Sequence, residues 1–150
     1  MPTVSRKRLI DAPSERVWDL VSDPDHLPRW WPRTVRVEDV RKSPGGRRSR
    51  WTTVLGTERG RGVRADYRCV GATAGERYAW EQEIEGTPFE RILRSAGLQI
   101  RLEGQSQSTL VILESSERLR GLSRLGSPMM RRATRRRLDE ALSGIERALT

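Results

Sequence analysis

The stretch Tyr78-Ala79-Trp80-Glu81-Gln82-Glu83-Ile84 holds the residues with most chemical promise. Its period-two pattern predicts a strand with Tyr78, Trp80, Gln82 and Ile84 on one face and Glu81 and Glu83 on the other. With the aromatic face inward, the Gln82 amide is buried and needs a hydrogen-bonding partner. A ligand carbonyl or hydroxyl can supply one, and so can a neighbouring backbone group. In the opposite register two carboxylates point inward, which suits acid–base chemistry with pKa values raised by burial. Glu81 and Glu83 are better explained as outer-face partners of strand arginines. Both registers stay open on sequence alone.

Trp31, Trp51, Tyr67, Trp80 and Phe89 are candidate ligand-contacting aromatics, although core-filling and pocket-lining rings look alike in sequence. Trp30 and Trp31 are adjacent, so one at a pocket wall leaves the other to pack a short helix onto the sheet. Met130 and Thr134 fall at the start of a C-terminal helical stripe, where the Thr134 hydroxyl could meet a ligand. Arg6 and Arg8 share the parity of Val4 and Ile10, so one of them could hold an anionic ligand group. The alternative is a solvated strand end. His26, within Asp25-His26-Leu27, reads as a surface or helix-packing residue, and Cys69 as a small buried hydrophobe.

Several chemistries are disfavoured outright. One cysteine and one histidine among 150 residues allow no internal disulfide and no usual zinc site. A histidine-activated nucleophile would have to use His26, and nothing near it favours that. Gly56, Gly60 and Gly62 do not precede a helix and form no phosphate loop. No metal and no cofactor is expected. The formal charge of +9 raises nucleic acid or an anionic surface as partners. The basic residues, however, are spread from Arg6 to Arg147, so a nucleic-acid role is not expected. Arg131, Arg132, Arg135, Arg136 and Arg137 span more than one helix face, as a solvated run does, with Asp139 and Glu140 as local partners. A homodimer stays open. The longest apolar run, Leu110-Val111-Ile112-Leu113, is too short to span a membrane, and Met1 to Ile10 lacks a signal-peptide core. A cytoplasmic protein is the expectation.

The elements that must position these residues follow in a definite order. Val4 to Asp11 reads as a strand. Ala12 to Val21 reads as a short helix, with Val17, Leu20 and Val21 on one face and Pro13 or Ser14 at its start. Asp23 caps a second short helix with Pro24 in its first turn, kept brief by Pro28 and Pro32. Strands follow around Val35, Val37 and Val40, from Arg50 to Thr57, and through Val63, Ala65, Tyr67 and Cys69. The turns between them are expected at Ser43-Pro44-Gly45-Gly46 and at Gly60 and Gly62. A turn at Gly71 to Gly75 leads to Tyr78–Ile84. Further strands are expected at Phe89 to Ser95, through Leu98, Ile100 and Leu102, and at Thr109 to Glu114. Leu119 to Gly126 reads either as a loop or as an earlier turn of helix. Ser127-Pro128 then opens a long helix with an inner stripe of Met130, Ala133, Arg137/Leu138, Ala141, Ile145 and Ala148.

About seven strands joined by short turns make an antiparallel meander. The long helix is the only element able to cover its dry face. A curved sheet over a helix leaves a gap suited to a small molecule. The expectation is therefore one α+β domain over residues 1–150, a curved sheet around a C-terminal helix, with two short helices after the first strand.

The run Ile10-Asp11-Ala12-Pro13-Ser14-Glu15-Arg16-Val17-Trp18-Asp19-Leu20-Val21-Ser22-Asp23, then Leu27-Pro28-Arg29-Trp30-Trp31-Pro32, resembles the opening of the START-like (SRPBCC) superfamily. The closest resemblance is to its polyketide cyclase/dehydrase-like branch. The element order is similar from Val4 to Leu149, but the specific motif is confined to the first part of the chain. The resemblance implies a helix-grip fold around an apolar cavity and no single reaction. The leading functional expectation is binding of an apolar or polycyclic, lipid- or polyketide-like molecule. The alternative is a cyclase or dehydratase acting in the same cavity, which requires a carboxylate, Tyr67 or His26 projecting into it.

Overall fold

Alternating apolar residues drive an antiparallel sheet whose inner face is covered by one long helix. The computed structural model describes residues 3–43, 49–56, 62–121 and 127–150. Among them are the strands β1 (Thr3–Ile10), β2 (Thr34–Arg41), β3 (Arg50–Leu55), β4 (Val63–Thr73), β5 (Arg77–Glu83), β6 (Leu93–Gln105) and β7 (Ser108–Leu119). The sheet order is β1-β7-β6-β5-β4-β3-β2, antiparallel throughout. Helices α1 (Ser14–Val21) and α2 (Leu27–Trp30) lie between β1 and β2, and α3 (Ser127–Leu149) closes the fold. This is the α+β helix-grip architecture. Among the described residues no helix is long and apolar enough to cross a membrane.

The core sits where α3 crosses β1 and β7. Leu138, Ala141, Leu142 and Ile145 of α3 are fully buried against Ile10, Val111 and Leu113 of the sheet and Val17 and Leu20 of α1. Each such aliphatic side chain contributes roughly 1.5–3 kcal/mol on burial. Arg6 grips Asp139 with two hydrogen bonds, from Nε at 2.8 Å and a terminal nitrogen at 3.1 Å. Arg8 donates to Ser143 and Glu146 at 2.9 and 3.2 Å. Both arginines therefore fasten the flank of α3 to β1, and neither enters a ligand site. Gly144 lets α2 lie directly on α3, because a Cβ there would come within 2.8 Å of the Trp30 Cα.

The short helices are tied down by local chemistry. The Asp23 carboxylate accepts from Asp25 N at 3.0 Å, capping the single 3₁₀ turn that leads into α2. Pro13 precedes α1 without a side-chain cap. His26 Nδ1 lies 3.0 Å from the Asp19 carbonyl, joining the two helices. On the outer face Glu81 meets Arg68 and Glu83 meets Arg50, while Tyr78 and Trp80 are buried on the inner one.

Three segments differ from the sequence expectation. Phe89 does not begin a strand: Pro88–Arg91 form a 3₁₀ turn. Thr87 holds that turn by donating to Ile84 O at 2.6 Å and accepting from Phe89 N at 3.3 Å. The end of the strand expected over Phe89 to Ser95 and the strand expected through Leu98, Ile100 and Leu102 are one continuous β6. Second, β4 runs through a register shift at Gly71 to Thr73, so the turn expected from Gly71 is confined to residues 74–76, with Gly75 at φ 75°. Third, the inner stripe of α3 passes through Thr134 rather than Ala133, and Thr134 is 4% exposed. Asp39, at φ 51°, marks a bulge in β2 that brings Val37 and Val40 to the same side despite their opposite parity. The turn residues expected at 44–46 and 60, and the segment 122–126, lie outside the described residues.

Candidate ligand cavity

The β5–β6 ladder ends at Glu81 opposite Gly97, and below that point the two strands part. Over the same region the N-terminal half of α3 carries Ala133, Arg136 and Arg137 in place of large aliphatics. The result is a cavity of about 570 Å³, within the range of small-molecule sites. Tyr67, Trp80, Gln82 and Leu98 form its sheet wall. Phe89, Ile92 and Leu93 close one side, Met130 to Glu140 of α3 another, and Trp31 to Arg33 the mouth.

Six of the sequence candidates thus meet on this one space: Trp31, Tyr67, Trp80, Gln82, Phe89 and Met130. Two stand off from it. Trp51 is buried behind Tyr67, its cross-strand partner, with rings stacked at 6.1 Å and 15°. Thr134 is turned one residue round α3 toward β1 and β7, beside Val4, Ser115 and Leu119 on a void of about 10 Å³. Trp30 and Trp31 divide at the end of α2: Trp30, the last helical residue, is buried, and Trp31, the extended C-cap, stands at the cavity. Trp31 meets Trp80 edge-on at 5.5 Å and Trp30 at 5.6 Å. Trp80 in turn contacts Trp51, Tyr67 and Tyr78. This interlocked aromatic group forms a rigid wall.

Phe89 is brought over the cavity by its 3₁₀ turn. It packs with Ile84, Leu93, Leu119, Ala96 and Met130 in a small second core. Glu90 braces the turn by accepting from Gly86 N at 3.0 Å.

The polar features of the cavity are few and specific. Gln82 Nε2 is buried and has no hydrogen-bond partner among the described residues. Such a donor is costly unless something outside the chain accepts from it. Glu117, near the end of β7, and Arg137, from α3, form an ion pair on the cavity wall. The Glu117 side chain is 12% exposed. Tyr67 lies within their field: burial first, and then Glu117, push its phenol up to about 12, while Arg137 opposes. The phenol is therefore neutral at ordinary pH, with its proton available for a hydrogen bond. Sequence reading missed Glu117 and the pairing of Arg137, although Glu117 shares the inward parity of Leu113 and Ser115. Ending the last strand at Glu114 concealed it. Cys69 Sγ donates to Gly71 O at 3.4 Å, and burial raises its thiol pKa, as fits an inert buried sulfur.

Comparison with known proteins agrees with this geometry. The family model described as polyketide cyclase/dehydrase and lipid transport matches residues 1–150. A START superfamily protein from Mycobacterium smegmatis superposes with a TM-score of 0.79 at 14% identity, covering 98% of this chain and 96% of that one. The ZhuI aromatase/cyclase from Streptomyces sp. R1128 gives 0.79 at 16%, covering 99% and 93%. One half of the di-domain ARO/CYC BexL from the BE-7585A biosynthetic pathway gives 0.79 at 22%; 98% of this chain spans 46% of that protein. At these identities the likeness is one of fold. No curated protein sequence matches the chain.

Proposed function

The chain belongs to the polyketide cyclase/dehydrase and lipid transport family, and from that premise we propose that its cavity binds an apolar or polycyclic molecule bearing an acceptor oxygen. A lipid-like or polyketide-like compound has that character. The observation that carries the reading is the buried, unpartnered Gln82 Nε2 at an otherwise aromatic wall. A ligand carbonyl or hydroxyl would satisfy it, and the Tyr67 phenol is available to donate a second hydrogen bond. The chain works in this reading as a single cytoplasmic binding domain.

Native mass spectrometry of the freshly purified protein tests the proposal. The expected result is a bound small molecule that is lost from Ala133→Trp, in which an indole fills the cavity from the α3 side. A wild-type protein that neither carries a ligand nor takes up an apolar probe would overturn it.

A second reading, a cyclase or dehydratase, is favoured by Tyr67 standing beside Arg137 and Glu117. A neutral phenol can protonate or hydrogen-bond an enolate oxygen as charge develops there, and a shaped cavity can fold a flexible chain for ring closure. Cyclised product from a poly-β-keto thioester, abolished in Tyr67→Phe with binding retained, would support this reading. Binding without turnover would leave the carrier reading alone.

A further inference from the structure

A second concavity of about 710 Å³ runs between α2 and α3. It adjoins the cavity along shared residues: Trp31, Pro32, Arg33, Arg136 and Glu140 line both. Four arginines face it: Arg29, Arg33, Arg136 and Arg147. Among the described residues none of the four has a carboxylate partner. Of the two acids present, Asp139 is already held by Arg6, so Glu140 alone opposes them. Trp30 Nε1 and Thr34 Oγ1, from residues lining the same groove, are buried without partners among the described residues. A groove of unneutralised guanidinium groups and unused hydrogen-bonding groups is suited to an anion.

The geometry points to an amphipathic acid as the ligand class: an apolar body in the cavity and a carboxylate, phosphate or sulfonate at the mouth, met by Arg33 and Arg136. This inference rests on the proposed ligand-binding reading of the cavity and adds to it the chemistry of the ligand's outer end. The protein-wide charge alone does not account for it. Arg132 and Arg135 on α3 are as exposed as Arg136 but line neither space. Arg33 is presented by a backbone at φ 61°, with its carbonyl accepting from Gly56 N at 2.8 Å. Its position at the mouth is thereby set by β3 as well as by α2.

Two fluorescent probes with the same rings separate the claims: 8-anilinonaphthalene-1-sulfonate, which carries an anionic group, and N-phenyl-1-naphthylamine, which does not. Both are titrated into the full chain, with energy transfer from tryptophan marking occupancy near Trp31 and Trp80. In Arg33→Gln/Arg136→Gln the sulfonate probe is expected to weaken about tenfold while the neutral probe stays within about twofold. The charge-matched variant Arg132→Gln/Arg135→Gln is expected to keep both affinities within about twofold of wild type. Retained neutral-probe binding also shows that each variant is folded. Equal losses in the two double variants, or a sulfonate probe indifferent to Arg33 and Arg136, would overturn the acidic-end inference while leaving the cavity intact. If neither probe binds the wild type, the cavity reading and this inference fall together.

Discussion

Replacing Gln82 by leucine should raise the stability of the ligand-free protein and weaken its grip on ligand. The amide nitrogen is buried and unpartnered, and leaving such a donor without an acceptor costs about 1–3 kcal/mol. Gln82 as a whole is only half-buried and borders the cavity, so the lower end applies. Leucine removes the orphan at similar volume, for an expected gain of about 1 kcal/mol. In a chain of 150 residues that corresponds to roughly 2–4 °C in Tm. Ligand affinity should fall about two- to tenfold, the worth of one net hydrogen bond. Urea unfolding of the stripped protein, followed by tryptophan fluorescence, reads the first effect, and an unchanged slope confirms that stability alone has moved. Titration with the extracted ligand reads the second. A structural amide would lose on both counts. If Gln82→Leu and the longer Gln82→Met both unfold at lower urea than wild type, the orphan assignment is wrong.

Gly144→Ala should destabilise the fold by about 1–3 kcal/mol, against the usual gain of alanine over glycine in a helix. Its Cβ would meet the Trp30 backbone, and a lowered urea midpoint checks it. Ile145→Ala, at a fully buried site, should cost about 2–5 kcal/mol by calorimetry or urea. The chain's two tyrosines should both resist ionisation. Burial pushes Tyr67 up to about 12 and Tyr78 higher still. The unfolded phenol loses its proton from about 10 while the folded one keeps it, so stability is full below pH 10 and declines as pH rises toward 12. Near-ultraviolet absorbance of the folded protein should show no phenolate midpoint near 10, and finding one would refute the burial argument.

The helix grip was legible because its signals are periodic. Val63, Ala65, Tyr67 and Cys69 alternate cleanly, and Ser127-Pro128 opens an uninterrupted amphipathic run. Elements governed by single side chains were not legible. Phe89 to Ser95 has strand-like composition, yet Thr87 and Glu90 hydrogen-bond the Gly86–Phe89 backbone into a turn, and propensity carries no trace of that choice. The parity of Gln82 could be written down from the sequence, but its sign could not. It is set by the burial of Tyr78, Trp80 and Ile84 against the core, which leaves Glu81 and Glu83 outside to meet Arg68 and Arg50. Glu117 and Arg137 are 20 residues apart on different elements, and their pairing depends on the packing angle of α3, which no local pattern encodes. Arg6 and Arg8 have inward parity but find Asp139, Ser143 and Glu146 on the helix flank before they reach any ligand.

The two halves of α3 explain how a chain with few large hydrophobics keeps a hollow interior. From Leu138 to Ile145 the helix is packed solidly against β1, β7 and α1, and Gly144 draws it against α2. From Met130 to Arg137 the cavity-facing positions include Ala133, Arg136 and Arg137, with no large aliphatic among these three, and the gap they leave is the cavity. Stability and binding therefore occupy different lengths of one helix. Substitutions at Ala133 or Arg136, both exposed, should change stability by no more than about 0.5 kcal/mol while altering which ligands are held. Those at Leu138 or Leu142 should cost about 2–5 kcal/mol on truncation to alanine. A scan of α3 read in parallel by urea midpoint and probe affinity would show the two effects exchanging places near Arg137. A scan in which stability and affinity fall together along the whole helix would mean that the cavity is part of the core rather than a site supported by it.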